Sequence, residues 1–500
     1  MSSSNESRIS RRTPAKTQNE IQRDIDKKKS RKILTIVIMV CVVILALALI
    51  YINTGLFYRT TPAVTVGDRN FSIADFNYYY KTAYNNTYNN IYSTYGSYAS
   101  YVLDPSKPLD QQSYSTDMTW EEYFSQVAVS KMRTVVLLCE MADADENFSL
   151  TEAQQEELDS IEDIPATYAK IYKLSVGKYL RNIYGMGVSK SVYVRNTKDV
   201  YIADAYTQYI KDNYDYSDSD LESYYNANIT DFNVVNYKAY LVTAESGDGV
   251  DSEKALADAK TAAEKLIEGA DSMQAFADNV AEYESANDLS TGETTGNYAK
   301  YAGVNSAIAD WLFDTARVSG DTAVIENSDK TGYYAVYFDS VDDRNYPTGA
   351  IRQILVGAEL DENGSYSEAT LKDAHDKAEQ LLAEWKSGDM SEDSFTKIYS
   401  ESDSEYISGS FIDMIYHGAT GVDPVEEWAL DAARQPGDTT LIDTEYGTHI
   451  LYYSAAVENA QKALVRSAKS DADYNSWMES VIEDYTAVIR GFGYYFTRNV

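Results

Sequence analysis

The chain contains the apolar segment Arg352-Gln-Ile-Leu-Val356, and a similar segment, Lys238-Ala-Tyr-Leu-Val242, lies 114 residues before it. Three more pairs follow in the same order at shifts of 115 to 117 residues: Ala263-Glu-Lys-Leu-Ile267 with Ala378-Glu-Gln-Leu-Leu382, Asp310-Trp311 with Glu427-Trp428, and Gly332-Tyr-Tyr-Ala-Val336 with Gly447-Thr-His-Ile-Leu451. Four pairs at a nearly constant offset indicate an internal duplication. Because this period is the size of a small domain, we predict two tandem domains, each with its own core, at 236–345 and 348–458.

Each copy has the pattern of an antiparallel α+β domain. In the second copy an apolar strand, Ile351–Val356, is followed by a helix rich in Ala, Glu, Lys and Leu at Glu368–Trp385. A short helix, Glu426–Ala433, ends before Pro436-Gly437, and the copy closes with an apolar strand, His449–Tyr453. Strands at both ends with helices between them predict an α+β fold.

The N-terminus has the pattern of a membrane anchor. Residues 1–32 hold ten Lys and Arg against four acids, and residues 33–52 carry no charge. Twenty helical residues cross the roughly 30 Å hydrocarbon layer, and the positive-inside rule puts the basic tail in the cytoplasm. The alternative is a cleaved signal peptide, but the small triplet Ala46-Leu47-Ala48 leads into Leu-Ile-Tyr-Ile rather than a polar exit. We therefore predict an uncleaved single-pass anchor, with the bulk of the chain extracytoplasmic in the cell membrane.

Charge excludes one class of partner for the extracytoplasmic part. The whole chain has a formal net charge of −35, although its first 32 residues are basic. A surface this acidic repels nucleic acid and anionic lipid, so we expect no nucleic-acid partner. The two cysteines, Cys41 in the span and Cys139 in an apolar helical stretch, cannot pair with each other, and Cys139 is interpreted as a buried apolar residue.

Residues 59–235 have a mostly helical pattern. After a strand and turn at Val64–Asp68, helix starts with N-cap residues and capping boxes are predicted. The starts lie at Ser72, Thr119-Trp-Glu-Glu122, Thr151-Glu-Ala-Gln154, Ser189 and Ser217. The last segment, 471–500, is interpreted as a helix that includes Val488-Ile489 and packs back on this helical domain to complete it.

Tyrosines recur with helical spacing in the stretch Tyr78–Tyr101. The stripe consists of Tyr80, Tyr84, Tyr88, Tyr92 and Tyr95. Two interpretations remain open. Packing in the core or between helices is favoured over an aromatic surface that binds client polypeptides.

Residues 59–500 resemble the membrane-attached, extracytoplasmic parvulin-type peptidyl-prolyl isomerases and foldases of the PrsA and SurA type. The resemblance is carried by Val64-Thr-Val-Gly-Asp68 with Phe71-Ser-Ile-Ala-Asp-Phe76, by Ser217–Phe232 leading into the first copy, and by Arg352-Gln-Ile-Leu-Val356 and Tyr446-Gly-Thr-His-Ile-Leu451. It implies a helical chaperone domain with inserted parvulin-like domains, no cofactor or metal, and unfolded or newly secreted polypeptides with X-Pro bonds as partners.

The resemblance also implies a site in the second copy, with departures from the family pattern. The last-strand histidine of the family is present as His449, whereas Gln353 replaces the first-strand histidine and the central acid falls at or next to Asp403. Residues implied in substrate binding are Thr444, Val425, Val422 and Trp428, with Val425 at the position of an aromatic shelf. The first copy lacks both histidines, having Ala239 and Tyr334 instead, and is expected to be non-catalytic.

Prolyl isomerisation requires neither nucleophile nor metal. The barrier to rotation about the amide is ~18–20 kcal/mol, and catalysis requires a pocket that binds the twisted amide best. For His449 the alternative is a hydrogen-bonded core histidine. His375, in a charged helix, is expected on a solvated face, and His417, in a loop, matches no motif.

Two functions follow from the sequence. The first is a foldase that is a prolyl isomerase through the second copy only. The alternative is a non-catalytic holdase with degenerate isomerase domains, which the loss of the first histidine and Val425 would favour. A wall-associated adhesion or scaffolding protein, suggested by the Tyr- and Asn-rich stretch 78–101, is a third interpretation.

Overall fold

The computed structural model describes residues 17–247, 249–360 and 364–497. The chain forms two compact units: Met1–Asn213 with Tyr474–Val500, and Tyr214–Asp473. Helices and small antiparallel sheets are mixed, as an α+β composition requires. The first 16 residues of the predicted basic tail lie outside the described residues, and the predicted domain boundaries stay predictions.

The first unit begins with one long helix, α1 (Gln18–Asn53). Within it, Ile25–Asn53 is long and apolar enough to cross a membrane, and none of its most apolar window is buried by protein. A helix whose apolar side chains all face outward buries them only in another apolar phase. The apolar segment 33–52 is therefore helical along its whole length.

The rest of the first unit before residue 213 is built from short strands and further helices. These elements are α2 (Leu56–Thr60), β1 (Pro62–Val66), β2 (Arg69–Ser72), α3 (Ile73–Tyr95), α4 (Ala99–Val102), β3 (Ser113–Ser115), β4 (Met118–Thr119), α5 (Trp120–Ala144), α6 (Glu152–Ser160), α7 (Ile164–Ile171), α8 (Val176–Tyr184) and α9 (Lys190–Asp212), with 3₁₀ turns at Gly96–Tyr98 and Leu109–Gln111. Their core includes Phe71, Phe76, Phe124 and Met132.

The predicted helix starts are confirmed. Ser72, Thr119 and Thr151 each accept a backbone N–H three residues on, and the side chain at that position accepts the N–H of the cap in return. Ser189 caps α9 and Ser217 caps the helix Asp218–Ala227 in the same way, the latter also with a reciprocal bond. These bonds satisfy donors that the first helical turn leaves without partners.

The tyrosine stripe of α3 divides into two halves. Tyr80 is buried, and Tyr84 and Tyr88 pack partly against the core. Tyr92 and Tyr95 are more than half exposed. The favoured core interpretation therefore holds for the first half of the stripe only.

The C-terminal segment differs from its prediction as one helix. Helix α18 (Ala460–Ile482) starts earlier and stops sooner, and it is followed by β13 (Ala487–Ile489) and α19 (Gly491–Tyr495). Val488-Ile489 is a strand because β1 offers a free edge, on which Val64 pairs with Ile489 in antiparallel register. The segment does return to the first unit, as expected.

The second unit opens with α10 (Asp218–Ala227) and α11 (Ile229–Phe232) and then contains two four-stranded sheets. The first sheet region has β5 (Val234–Thr243), α12 (Ser252–Ile267), α13 (Met273–Asn287), β6 (Thr294–Lys300), a 3₁₀ turn at Tyr301–Gly303, α14 (Ser306–Leu312), β7 (Thr322–Glu326) and β8 (Gly332–Asp342). The second has β9 (Pro347–Gly357), α15 (Glu368–Lys386), α16 (Glu392–Ser400), β10 (Ile407–Ile412), α17 (Asp423–Leu430), β11 (Thr439–Thr444) and β12 (Gly447–Asn459).

The two sheets have the same strand order, β6-β5-β8-β7 and β10-β9-β12-β11, and all their pairings are antiparallel. Their registers also correspond. Ala239 pairs with Val336 in the first sheet, and Gln353 pairs with Leu451 in the second. Gln353 lies 114 residues after Ala239, and Leu451 lies 115 residues after Val336. These are the offsets between the two sequence copies, so corresponding residues occupy corresponding places in the two sheets.

Candidate functional site

The candidate site lies on one face of the second sheet. Side chains alternate between faces along each strand, and directly paired residues share a face. Ile351, Leu451 and Tyr453 pack with Val425 and Ala429 of α17, whereas Ile354, Ile450 and Tyr452 pack on the opposite side under α15 and α16. His449 is two residues from Leu451, so it belongs to the face that α17 covers.

His449 is buried and has no polar partner. The residue is 5% exposed, and among the described residues neither ring nitrogen has a hydrogen-bond partner. It pairs along the backbone with Leu355 on one side and Ile442 on the other. Burial lowers the pKa of the imidazole from its ordinary value of 6.5, so the ring is neutral at pH 7. A neutral ring has one donor and one acceptor nitrogen, and neither is used inside the fold.

Gln353 lies on the same face as His449, on the neighbouring strand β9. The two residues are diagonal neighbours, because His449 pairs with Leu355. Gln353 is half-buried, and its backbone neighbours are Leu451 in β12 and Ser410 in β10. Since both nitrogens of His449 are without partners, the Gln353 amide does not hydrogen-bond to the imidazole. The two side chains that the sequence assigned to one site therefore lie on one face but are not hydrogen-bonded to each other.

The α17 side of the face is apolar. Val425 is fully buried and packs with Ile351, Ile415 and Leu451. Val422 and Trp428 lie at the margin of this cluster and are half-buried. The Trp428 ring is covered by the guanidinium of Arg434, which lies 4.8 Å from the ring centroid.

Two predicted site residues lie elsewhere. Asp403 is exposed in the turn between α16 and β10. Thr444 forms part of the turn between β11 and β12, where its hydroxyl donates to the Gly447 carbonyl at 3.0 Å and accepts from the Tyr446 N–H at 3.3 Å. The structure thus brings Gln353 and His449 together with the α17 residues, while Thr444 has a local role in its turn.

The sequence did not point to Glu426, which organises the loop before α17. Its side chain is completely buried. Oε2 accepts the Gly418 N–H at 2.7 Å, and Oε1 accepts the N–H groups of Thr420 and Gly421 at 2.6 and 3.2 Å and the Thr420 hydroxyl at 2.8 Å. Acids are common in the first turn of a helix, so the pattern did not distinguish Glu426 from the exposed Glu427.

His375 is not simply solvated, as the sequence had suggested. Its Nδ1 is 2.8 Å from Oδ1 of Asp443, which also accepts the Thr448 hydroxyl at 2.6 Å. The hydrogen bond to Asp443 raises the pKa of His375. Burial alone would raise the pKa of Asp443, but the bonds from Thr448 and His375 hold it below its ordinary value. The pair ties α15 to the sheet on the side away from His449.

His417 also has a structural setting that its sequence context did not reveal. Its ring stacks on Tyr298 with centroids 4.8 Å apart and planes 5° apart, and it meets Tyr346 edge-on at 5.4 Å. Its backbone N–H donates to the Tyr346 hydroxyl at 3.0 Å. His417 therefore packs between the two sheet regions of the second unit.

The first sheet lacks these polar groups at the equivalent positions. Ala239 is buried where the second sheet has Gln353, and Tyr334 lies where it has His449, paired with Leu241 and Ile325. Across the described residues, no group of three or more His, Cys, Asp and Glu side chains is placed to hold a metal ion.

No protein-family model and no curated protein matches this chain. Among solved structures, it aligns with the crystal structure of PrsA from Bacillus subtilis at 15% identity, over 46% of this chain and 78% of that chain, with a TM-score of 0.14. An alignment with so low a TM-score supports no functional assignment, so the chain's own residues have to support one.

Proposed function

We propose that the chain is a membrane-anchored, extracytoplasmic foldase that acts on unfolded or newly secreted polypeptides, with a parvulin-like prolyl isomerase site on the α17 face of the second sheet. In this proposal α1 is the uncleaved anchor and the basic residues before it stay in the cytoplasm. The first unit without α1 is the helical chaperone domain, and the two sheet regions are the parvulin-like domains.

The observation that carries the proposal is the unpartnered imidazole of His449. A buried polar group without a hydrogen bond costs about 1–3 kcal/mol, and such groups are rare in folded proteins. A ligand is one group that can supply the missing partner, and it has to displace the side chains that cover the ring. A bound X-Pro segment offers such a partner in the carbonyl oxygen before the proline.

The residues of this face have distinct tasks in the proposed reaction. The neutral ring of His449 donates to the substrate carbonyl while the amide rotates, and the half-buried Gln353 amide offers a second donor and acceptor. Bonds that form best with the twisted amide lower the barrier without a covalent step. Val422 and Trp428, at the apolar margin, contact the proline ring. Thr444 and Asp403 take no part in this proposal, because Thr444 bonds within its own turn and Asp403 is exposed before β10.

A second candidate function, a non-catalytic holdase, is favoured by one specific observation. Val425 is fully buried against Ile351 and Leu451, so it does not present a shelf for a proline ring. In this alternative the face is a filled core, and binding of unfolded chains depends on other surfaces. In both cases the first sheet region, which has Ala239 and Tyr334 in place of the polar pair, is non-catalytic.

Two assays on the full chain in lipid nanodiscs separate the candidates. One measures suppression of aggregation of an unfolded client that lacks proline, and the other measures refolding of a client whose slow phase is prolyl isomerisation. The foldase accelerates the slow phase, and His449→Ala abolishes this acceleration while His375→Ala, a histidine outside the face, retains it. Aggregation suppression with no acceleration by the wild type refutes the isomerase and leaves the holdase.

A further inference from the structure

An aromatic cluster lies where the long apolar helix α1 ends. Tyr51, in the last turn of α1, meets Phe57 of α2 edge-on with ring centroids 5.9 Å apart. Phe57 in turn contacts two rings from the far end of the chain, Phe496 at 5.0 Å and Phe492 at 6.3 Å, and Tyr495 meets Phe496 at 5.4 Å. We name these five residues the juxtamembrane aromatic cluster.

The cluster is held in place by the backbone of the first unit. The Arg490 N–H donates to the Ala63 carbonyl at 2.8 Å, and Arg490 Nε donates to the Thr65 hydroxyl at 2.8 Å. Gly493 packs so closely on β1 that a Cβ added to it would lie 2.0 Å from the Pro62 carbonyl oxygen. The C-terminal aromatic residues are therefore fixed beside the end of α1 rather than carried on a loose tail.

Two rings of the cluster face outward although they are large and apolar. Phe492 is 70% exposed and Tyr495 is 66% exposed. Val488 and Ile489, close to them in sequence, and Leu56, next to Phe57, are also exposed. Clustered apolar exposure of this kind marks a surface that another apolar phase covers.

The two chain segments that carry the cluster differ in charge from the rest of the sequence. Acids make up 78 of the 500 residues, yet none occurs between Asn53 and Gly67 or between Tyr485 and Val500. The charged side chains in these two segments are basic, and they include Arg59 and Arg490. A lipid headgroup layer carries phosphates that repel carboxylates and attract arginines, so this charge pattern matches a membrane surface.

We propose that the juxtamembrane aromatic cluster is an interfacial anchor whose partner is the phospholipid bilayer, with Phe492 and Tyr495 in the boundary between headgroups and acyl chains. This inference rests on the proposed membrane anchoring by α1. The bilayer is the expected partner because the cluster is continuous with the span: Phe57 contacts both Tyr51 of α1 and the C-terminal ring of Phe492. Aromatic side chains with one polar edge are enriched at this depth, and exposed Phe inserts there from amphipathic segments.

The experiment places a fluorescent NBD label on single cysteines of the full chain, reconstituted in vesicles of phosphatidylcholine and phosphatidylglycerol. Phe492→Cys and, separately, Tyr495→Cys are made in a Cys41→Ser, Cys139→Ser background. Tyr101→Cys in the same background is the control, because Tyr101 is 86% exposed and lies at α4. The native Cys41, kept in a Cys139→Ser chain, reports on the span.

Labels at 492 and 495 are expected to be quenched by a lipid carrying a nitroxide near the headgroup, to be shielded from iodide and to emit at shorter wavelength than the label at 101. Equal quenching and equal iodide access at 492, 495 and 101, with the Cys41 label quenched by lipid, would overturn the interfacial anchor while leaving α1 in the bilayer. A Cys41 label that iodide reaches would instead overturn the membrane anchoring itself. Tyr495→Cys provides the result if Phe492→Cys does not fold.

Discussion

Replacing His449 by leucine is expected to stabilise the second sheet while removing its proposed activity. The substitution keeps a side chain of similar size on the α17 face and deletes the two nitrogens that lack partners. Since a buried unsatisfied polar group costs about 1–3 kcal/mol, the free energy of unfolding of this sheet should rise by about that amount at pH 7. A gain in stability at a site residue is the expected mark of a position kept for function.

The pH dependence of the free energy of unfolding is a second, independent test of the buried His449 ring. Burial lowers the folded-state pKa of His449, so below about pH 6.5 the unfolded chain binds a proton that the folded chain does not. The wild type therefore loses stability as the pH falls from 6.5 towards the folded-state pKa, by at most about 1.4 kcal/mol per pH unit. His449→Leu should lack this loss, so its advantage over the wild type grows at about pH 5.

His375→Leu is the matched control, for which the opposite pH dependence of stability is expected. Its bond to Asp443 raises the folded-state pKa of His375, so this contribution is fully present below the ordinary pKa and is lost as the pH rises through the raised value. As an exposed pair it is worth about 0.2–1 kcal/mol. His375→Leu should therefore destabilise the sheet slightly at about pH 5 and hardly at about pH 9.

Urea unfolding of the full chain, followed by hydrogen-exchange mass spectrometry on peptides from β12, measures this sheet separately from the rest. Lower stability of His449→Leu at pH 7, or an acid-side loss equal to that of the wild type, would refute the argument. Either result would mean that the imidazole already has a partner, such as an ordered water, and the case for a ligand at His449 would lose its basis.

Two further predictions test the surroundings of the site and the C-terminal return. Glu426→Ala should destabilise the second sheet region by about 2–4 kcal/mol, because the N–H groups of the loop lose their carboxylate acceptor. The control Glu427→Ala, at the exposed neighbouring position, should change the stability by less than about 0.5 kcal/mol. Equal effects of the two substitutions in chemical denaturation would contradict the role of Glu426. Gly493→Ala should cost about 1–3 kcal/mol in the first unit because its methyl group meets the Pro62 carbonyl, and hydrogen exchange of β13 should rise, while unchanged protection would show that the segment shifts freely.

Local features were predictable from the sequence because neighbouring residues determine them. The capping boxes at Ser72, Thr119 and Thr151 involve residues three positions apart, and all three are present. The copies at constant offset likewise indicated two sheets, since matching apolar strands must pair in matching registers. These signals need no knowledge of distant parts of the chain.

Features that depend on distant partners were missed. Val488-Ile489 forms a strand only because β1, more than 400 residues earlier, has an unpaired edge. Glu426 and Glu427 are neighbouring residues of the same type. They differ because the loop before α17 donates its hydrogen bonds to Glu426, whereas Glu427 is exposed. His375 meets Asp443 because α15 crosses the sheet at that point. In the site, the resemblance assigned Gln353 and His449 to one site, but it could not show that they share a face without a hydrogen bond between them.

Exchange NMR on a short X-Pro peptide mixed with the full chain in nanodiscs tests the His449 face most directly. We predict cis–trans exchange faster than the uncatalysed tens to hundreds of seconds, retained in His375→Leu and lost in the folded His449→Leu chain. Exchange at the uncatalysed rate with the folded wild type, or undiminished exchange in His449→Leu, would contradict an isomerase site on this face.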